Sequence, residues 1–104
     1  MSSEATLRIA SGDAIGTFVL GGELDLHTAP QIADIPVTST GQGAKLTLDV
    51  ADVTFIDSIG IWALVNLSRR LDGGQLVIAN ASSEVRRTLD LVDLSDAAGI
   101  VVNR

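Results

Sequence analysis

The most strongly patterned part of the 104-residue chain runs from Leu46 to Leu71, LTLDVADVTFIDSIGIWALVNLSRRL. Leu46 to Val50 alternates apolar and polar positions, the period of a half-buried strand, and Val53 to Ile56 continues the β-branched and aromatic bias. Asp57 and Ser58 then stand where a helix opens, and either side chain could cap it. Ile61, Leu64, Val65, Ser68 and Leu71 recur at three- and four-residue spacing and predict a buried helical face. Ile59, Trp62, Ala63 and Asn66 fall on a second, largely apolar face beside the serine, so this helix is either covered twice or offered to a partner.

The flanking segments supply a sheet around that unit. Thr6 to Ala10 and Ala14 to Leu20 are β-rich runs separated by the turn-forming Ser11-Gly12-Asp13, which predicts an antiparallel hairpin. Gly21-Gly22 is expected to interrupt the second run, leaving Glu23 to Leu26 as a brief extended piece. Thr28 and Gln31 have capping-box spacing and Pro30 suits a first turn, so a short helix is expected over Ala29 to Ile35, stopped by Pro36. Val37 to Gly43 reads as a polar loop.

After Asp72-Gly73-Gly74 closes the central helix, Gln75 to Ala79 predicts a strand and Asn80 to Ser83 offers caps for a helix over Ser83 to Val92. Val85, Leu89 and Val92 or Leu91 would face inward, Ser95 to Ala98 would add a turn, and Ile100 to Val102 a last strand. Two strand-helix-strand passages after a hairpin predict one α/β domain over residues 1–104, a mixed sheet with its helices mainly on one face.

Composition narrows the function classes. Hydrophobic residues make up 46% of the chain but aromatic ones only 3%, so the fold needs an aliphatic core. Seven Lys and Arg against thirteen Asp and Glu give a formal charge of -6, which argues against nucleic acid or an anionic membrane as partner. The basic pairs are Arg69-Arg70 and Arg86-Arg87. The absence of cysteine excludes disulfides, thiolate metal sites and cysteine nucleophiles, and fits a reducing cytoplasm. The opening MSSEATLRIA has no basic region followed by a long apolar run, so no signal peptide is expected. Asp25, His27 and Ser58 raise the idea of a hydrolase, yet a nucleophile elbow needs glycine two residues before the serine, where this chain has Ile56. A glycine-rich phosphate loop with lysine is also missing. Asp49 and Asp52 read as loop and strand-end residues rather than metal ligands, and no cofactor is expected.

Three places carry a resemblance to a known family. They are Gly22-Glu23-Leu24-Asp25-Leu26 with Ala29-Pro30; Leu48-Asp49-Val50 running to Phe55-Ile56-Asp57-Ser58 and Gly60-Ile61; and Val85 to Leu91 with Leu94 and Ile100-Val101-Val102. In that order they resemble the STAS domains of bacterial anti-sigma factor antagonists. The resemblance implies a non-enzymatic regulator whose Ser58 is the phosphoacceptor. Its partners would be an anti-sigma factor that is itself a serine kinase, captured by the unphosphorylated domain so that a sigma factor is freed, and a metal-dependent serine phosphatase. Asp25, Asp57, Ser58, Ile59, Gly60, Trp62 and Ala63 are then the expected docking residues, with Asp25 near the Ser58 loop. The sequence departs from the family in four places: a shorter helix after Thr28, Ile59 where a serine or threonine often follows the acceptor, Trp62 in place of a small residue, and Asp93 in place of a glycine before Leu94. Ile59 and Trp62 leave room for a second reading, an unmodified interaction module of the same fold that scaffolds a stress-signalling complex.

Overall fold

A computed structural model describes residues 6–92 and 99–103. The elements in chain order are β1 (Leu7–Ser11), β2 (Thr17–Leu24), α1 (Ala29–Ile32), β3 (Lys45–Ile56), α2 (Ser58–Arg70), β4 (Gln75–Ala79), α3 (Ser83–Leu91) and β5 (Ile100–Val102). The strands form one five-stranded sheet in the order β1-β2-β3-β4-β5. β1 and β2 pair antiparallel and every later pair is parallel. Each parallel crossover moves one place in the same direction, so right-handed connections put α1, α2 and α3 on the same face. The mixed α/β sheet with an initial hairpin that the sequence predicts is the architecture found.

The core lies between that face and the helices. Leu46, Leu48 and Val50 alternate inward along β3, Leu20 and Leu24 join them from β2, and Leu76 and Ile78 from β4. From the helices come Ile61, Leu64 and Leu67 of α2 and Val85 and Leu89 of α3, all buried. This core is aliphatic, as the low aromatic content requires.

Several local expectations are corrected by packing. Gly21-Gly22 does not interrupt β2: register shifts on either side let the strand run on to Leu24, with Gly22 at φ 110°. A Cβ at Gly22 would strike the Thr6 carbonyl, so the glycine keeps β1 and β2 close where another residue would part them. β3 is likewise one continuous strand of 12 residues, and Asp49 and Asp52 lie within it rather than in a loop or at its end. The capping box does not form. Thr28 Oγ1 donates to the Glu23 carbonyl at 2.6 Å and accepts from the Asp25 amide at 3.0 Å, while Gln31 Nε2 donates to the Leu7 carbonyl at 2.9 Å. Both side chains fasten α1 to the sheet, and the α-helix ends at Ile32, with i→i+3 bonds carrying the coil to Ile35.

On α2 the buried arc centres on Leu64 and includes Leu67, which the sequence pattern omitted; Val65, about 100° round from Leu64, is only half-buried. On α3, Leu91 and Val92 are exposed, because Leu91 points away from the Val85–Leu89 stripe and Val92 is already the C-cap. The expected turn over Ser95 to Ala98, and Asp93 and Leu94, lie outside the described residues.

The position of the arc has a direct test. Leu64→Ala should cost about 2–5 kcal/mol by urea denaturation, the range for truncating a fully buried leucine. Val65→Ala should cost about 1 kcal/mol or less. Equal losses would place Val65 in the core.

Candidate functional site

β2 and β3 are parallel neighbours whose last paired residues are Leu24 and Ile56, so the loops that leave them, Asp25 to Thr28 and Asp57, come out side by side. One carboxylate joins them. Asp57, extended at φ -115° and ψ -177°, is the N-cap of α2, and its Oδ1 accepts from the Gly60 amide at 2.8 Å. Its Oδ2 accepts from the Leu26 amide at 3.3 Å, and its own amide donates to the Leu24 carbonyl at 3.2 Å. The choice of cap is thereby decided. Asp57 caps the helix through the Gly60 amide, and Ser58 is the first helical residue, exposed to solvent and not needed for capping.

The approach of α2 to β2 depends on a missing side chain. Gly60 is buried, and a Cβ there would fall 2.8 Å from Leu24 Cγ and 2.9 Å from the Leu24 carbonyl carbon. Nearer still is the Leu24 carbonyl oxygen, so any side chain would lift the first turn of α2 off the strand. Gly60 thus shapes the site by packing rather than by surface contact.

Asp25 is half-buried in the neighbouring loop. Its Oδ1 accepts from the amides of His27 at 2.9 Å and Thr28 at 3.2 Å, which makes it the organiser of its own turn. The structure therefore brings Asp25, Asp57, Ser58 and Gly60 to one edge of the domain.

Alongside, α1 and α2 enclose an open groove of about 370 Å³. Ile59, Trp62 and Ala63 contribute to it from α2, and Leu26 and Pro30 from the other side. Leu26, Ile59 and Trp62 are respectively 62%, 44% and 54% exposed, so large apolar side chains converge on one surface, which scattered exposed residues would not do. Trp62 packs beneath the Arg69 guanidinium, 5.3 Å from ring centroid to Cζ. At the groove's far end Arg70 Nη1 donates to the Ala33 carbonyl at 2.9 Å.

Sequence reasoning missed Leu26, Pro30 and Arg70 as part of this surface. Leu26 offered one signal, an apolar residue between Asp25 and His27 in a loop, but only the fold sets it opposite Ile59. It also missed Phe55, which is 47% exposed and lines a second groove of about 270 Å³ with Thr54, Glu84 and Arg87 at the start of α3. Among the described residues no group of three or more His, Cys, Asp or Glu is placed to hold a metal ion, and no helix is long and apolar enough to cross a membrane.

With the site in view, comparison with known proteins adds three observations. The family model described as STAS domain matches residues 6–101. The anti-sigma-B factor antagonist of Bacillus subtilis is 31% identical over 83 residues, covering 78% of this chain and 76% of that protein. Two solved structures share the fold. An anti-sigma factor antagonist from Mycobacterium paratuberculosis has a TM-score of 0.64 at 23% identity, covering 91% of this chain and 85% of the other. The antagonist SpoIIAA in its unphosphorylated form has a TM-score of 0.60, also at 23% identity, covering 95% and 88%.

The double role of Asp57 can be separated by substitution. Asp57→Ala loses both bonds and should lower stability by about 1 kcal/mol, within the usual range for a lost cap. Asp57→Asn keeps one carbonyl acceptor for Gly60 and should lose little stability, while amide exchange at Leu26 speeds up. Unchanged exchange at Leu26 in both variants would show that the carboxylate does not hold the two loops together.

Proposed function

The chain belongs to the STAS domain family, and from that premise we propose that it is an anti-sigma factor antagonist switched by phosphorylation of Ser58. The observation that carries this reading is that Asp57 caps α2 and leaves Ser58 exposed at the rim of the apolar Leu26, Ile59 and Trp62 surface. In its unphosphorylated form the domain docks a kinase-type anti-sigma factor over Asp25, Asp57, Ser58, Ile59, Trp62 and Ala63, with Gly60 holding the helix start in place. Occupation of the anti-sigma factor releases the sigma factor. The bound kinase then transfers the γ-phosphoryl group of ATP to Ser58 Oγ; the hydroxyl proton is lost, ADP leaves and the complex separates. A metal-dependent serine phosphatase hydrolyses the phosphoester and restores the docking form. Both reactions belong to the partners, and the domain itself is not an enzyme. The cycle runs in the cytoplasm.

Physical chemistry supports a switch at the surface rather than a change of fold. Phosphorylation adds about -1.5 to -2 charge at pH 7. The exposed amino end of α2 accommodates an anion, contributing about 0.3–1 kcal/mol. A partner approaching Ile59 and Trp62 meets the same anion beside the carboxylates of Asp57 and Asp25. Exclusion by a thousandfold requires about 4 kcal/mol, which steric conflict and like-charge juxtaposition can supply.

The test is the intact mass of the protein after incubation with ATP and each candidate anti-sigma kinase, with Ser58→Ala in parallel. One added phosphate on the unsubstituted chain alone is expected. Ser58→Asp should weaken capture of that kinase at least tenfold, while Ser58→Ala binds as well as the unsubstituted chain. Equal capture by both variants, with no phosphate added where control antagonists are modified, would favour the unmodified scaffold module.

A further inference from the structure

We propose that the α1–α2 groove takes one amphipathic helix of a partner protein, and that Arg69 and Arg70 fix its direction by pairing with a carboxylate at one end of that helix. This inference rests on the docking face described above and adds to it the occupant and its orientation.

The groove has the dimensions and the pattern for such an occupant. On α2 its wall is formed by Ile59, Trp62, Ala63, Asn66 and Arg70, residues three and four apart. From the first to the last the helix rises about 16 Å, or three turns, room for an i, i+3, i+7 apolar stripe of about two turns on a second helix with one further turn to meet the arginines. The groove is an open trough rather than an enclosed cavity.

Charge gives the groove its polarity. At one end Asp57 and Asp25 stand beside Ser58; at the other are two of the chain's seven basic side chains, in a protein of net charge -6. Arg70 forms the end wall, held by its bond to the Ala33 carbonyl, and Arg69 lies over the Trp62 ring. Arginines in a last turn also suit the helix dipole, but that role does not require them to border the apolar groove. Their placement selects a helix that is apolar along its middle and acidic where it meets the carboxyl end of α2. Acidic residues favour the first turn of a helix, so the occupant runs antiparallel to α2.

The chain's one tryptophan lines the groove, so its fluorescence reports occupancy. The probes are two stapled helical peptides of about 12 residues, long enough to span three turns. Both carry leucine at i, i+3 and i+7; one has two Glu in its first turn and its twin has two Lys there. The Glu peptide is expected to shift the Trp62 emission saturably and to bind at least tenfold more tightly than its twin at low salt, with the gap narrowing as salt is added. Arg69→Glu/Arg70→Glu should reverse the preference, and Arg69→Gln/Arg70→Gln, less demanding of the fold, should abolish it. Equal binding of the twins, a preference unmoved by these substitutions, or no emission change with either peptide would overturn the proposal. So would saturation of the groove by dodecanoate but not by the peptides, or by self-association of the protein in sedimentation. None of these arms involves Ser58. Loss of peptide discrimination with the Ser58 switch intact removes only this inference, and the converse removes only the phosphorylation reading.

Discussion

The site depends on how closely the first turn of α2 is allowed to approach the end of β2. Gly60 lies against the Leu24 carbonyl, at a distance that no residue with a Cβ could adopt. That contact sets where the amino end of α2 emerges, and the Asp57 carboxylate then joins the helix to the neighbouring loop through the Gly60 and Leu26 amides. An aspartate in this place contributes more than a serine cap could. Its two oxygens accept from donors on different segments, Oδ1 from Gly60 and Oδ2 from Leu26. The consequence for Ser58 is indirect but decisive. With the Gly60 amide already capped by Asp57, the serine is free to present its hydroxyl to solvent.

The same geometry separates the requirements of the fold from those of docking. Leu64, Leu67 and Ser68 carry the buried side of α2, while Ile59 and Trp62 lie on the opposite side and remain about half exposed. A substitution on the outer face can therefore change that surface with little effect on the core. The chain can thus carry apolar Ile59 and Trp62 on its outer face without disturbing the core beneath them. Arg69 limits the cost of the exposed indole by covering its face, a contact that leaves the ring edge and the groove beside it accessible.

Much of this was legible in the sequence because local pattern and tertiary packing agreed there. β4 and β5 were read with their observed ends, Gln75–Ala79 and Ile100–Val102, and α2 from its two faces. The misreadings arose where a residue's partner lies in another element of the fold. Thr28 and Gln31 have the spacing of a capping box, yet their bonds go to Glu23 and Leu7 on two strands. Gly21-Gly22 looked like a break because the register shifts that accommodate it depend on how β2 meets β3. Choosing between Asp57 and Ser58 as cap also needed the Leu26 amide, 31 residues away. The exposed surface was half legible: Ile59, Trp62 and Ala63 share a helix face, but no local signal sets Leu26 and Pro30 across from them.

A modification at the amino end of α2 would leave the fold nearly indifferent and the docking face strongly affected, for one electrostatic reason. Within the domain, a phosphate on Ser58 faces unpaired helix amides and water, both of which solvate an anion well. Under a docked partner the water is displaced, and the phosphate is left close to Asp57, whose own oxygens are already committed to Gly60 and Leu26. Desolvating a charge without a compensating donor is costly, so the penalty falls on the complex alone. The distribution of charge along α2 adds to this. The groove's basic end lies three turns from Ser58, about 16 Å, too far for Arg69 or Arg70 to pair directly with a phosphate there. Attraction at one end and switchable exclusion at the other can then act on the same bound helix without cancelling.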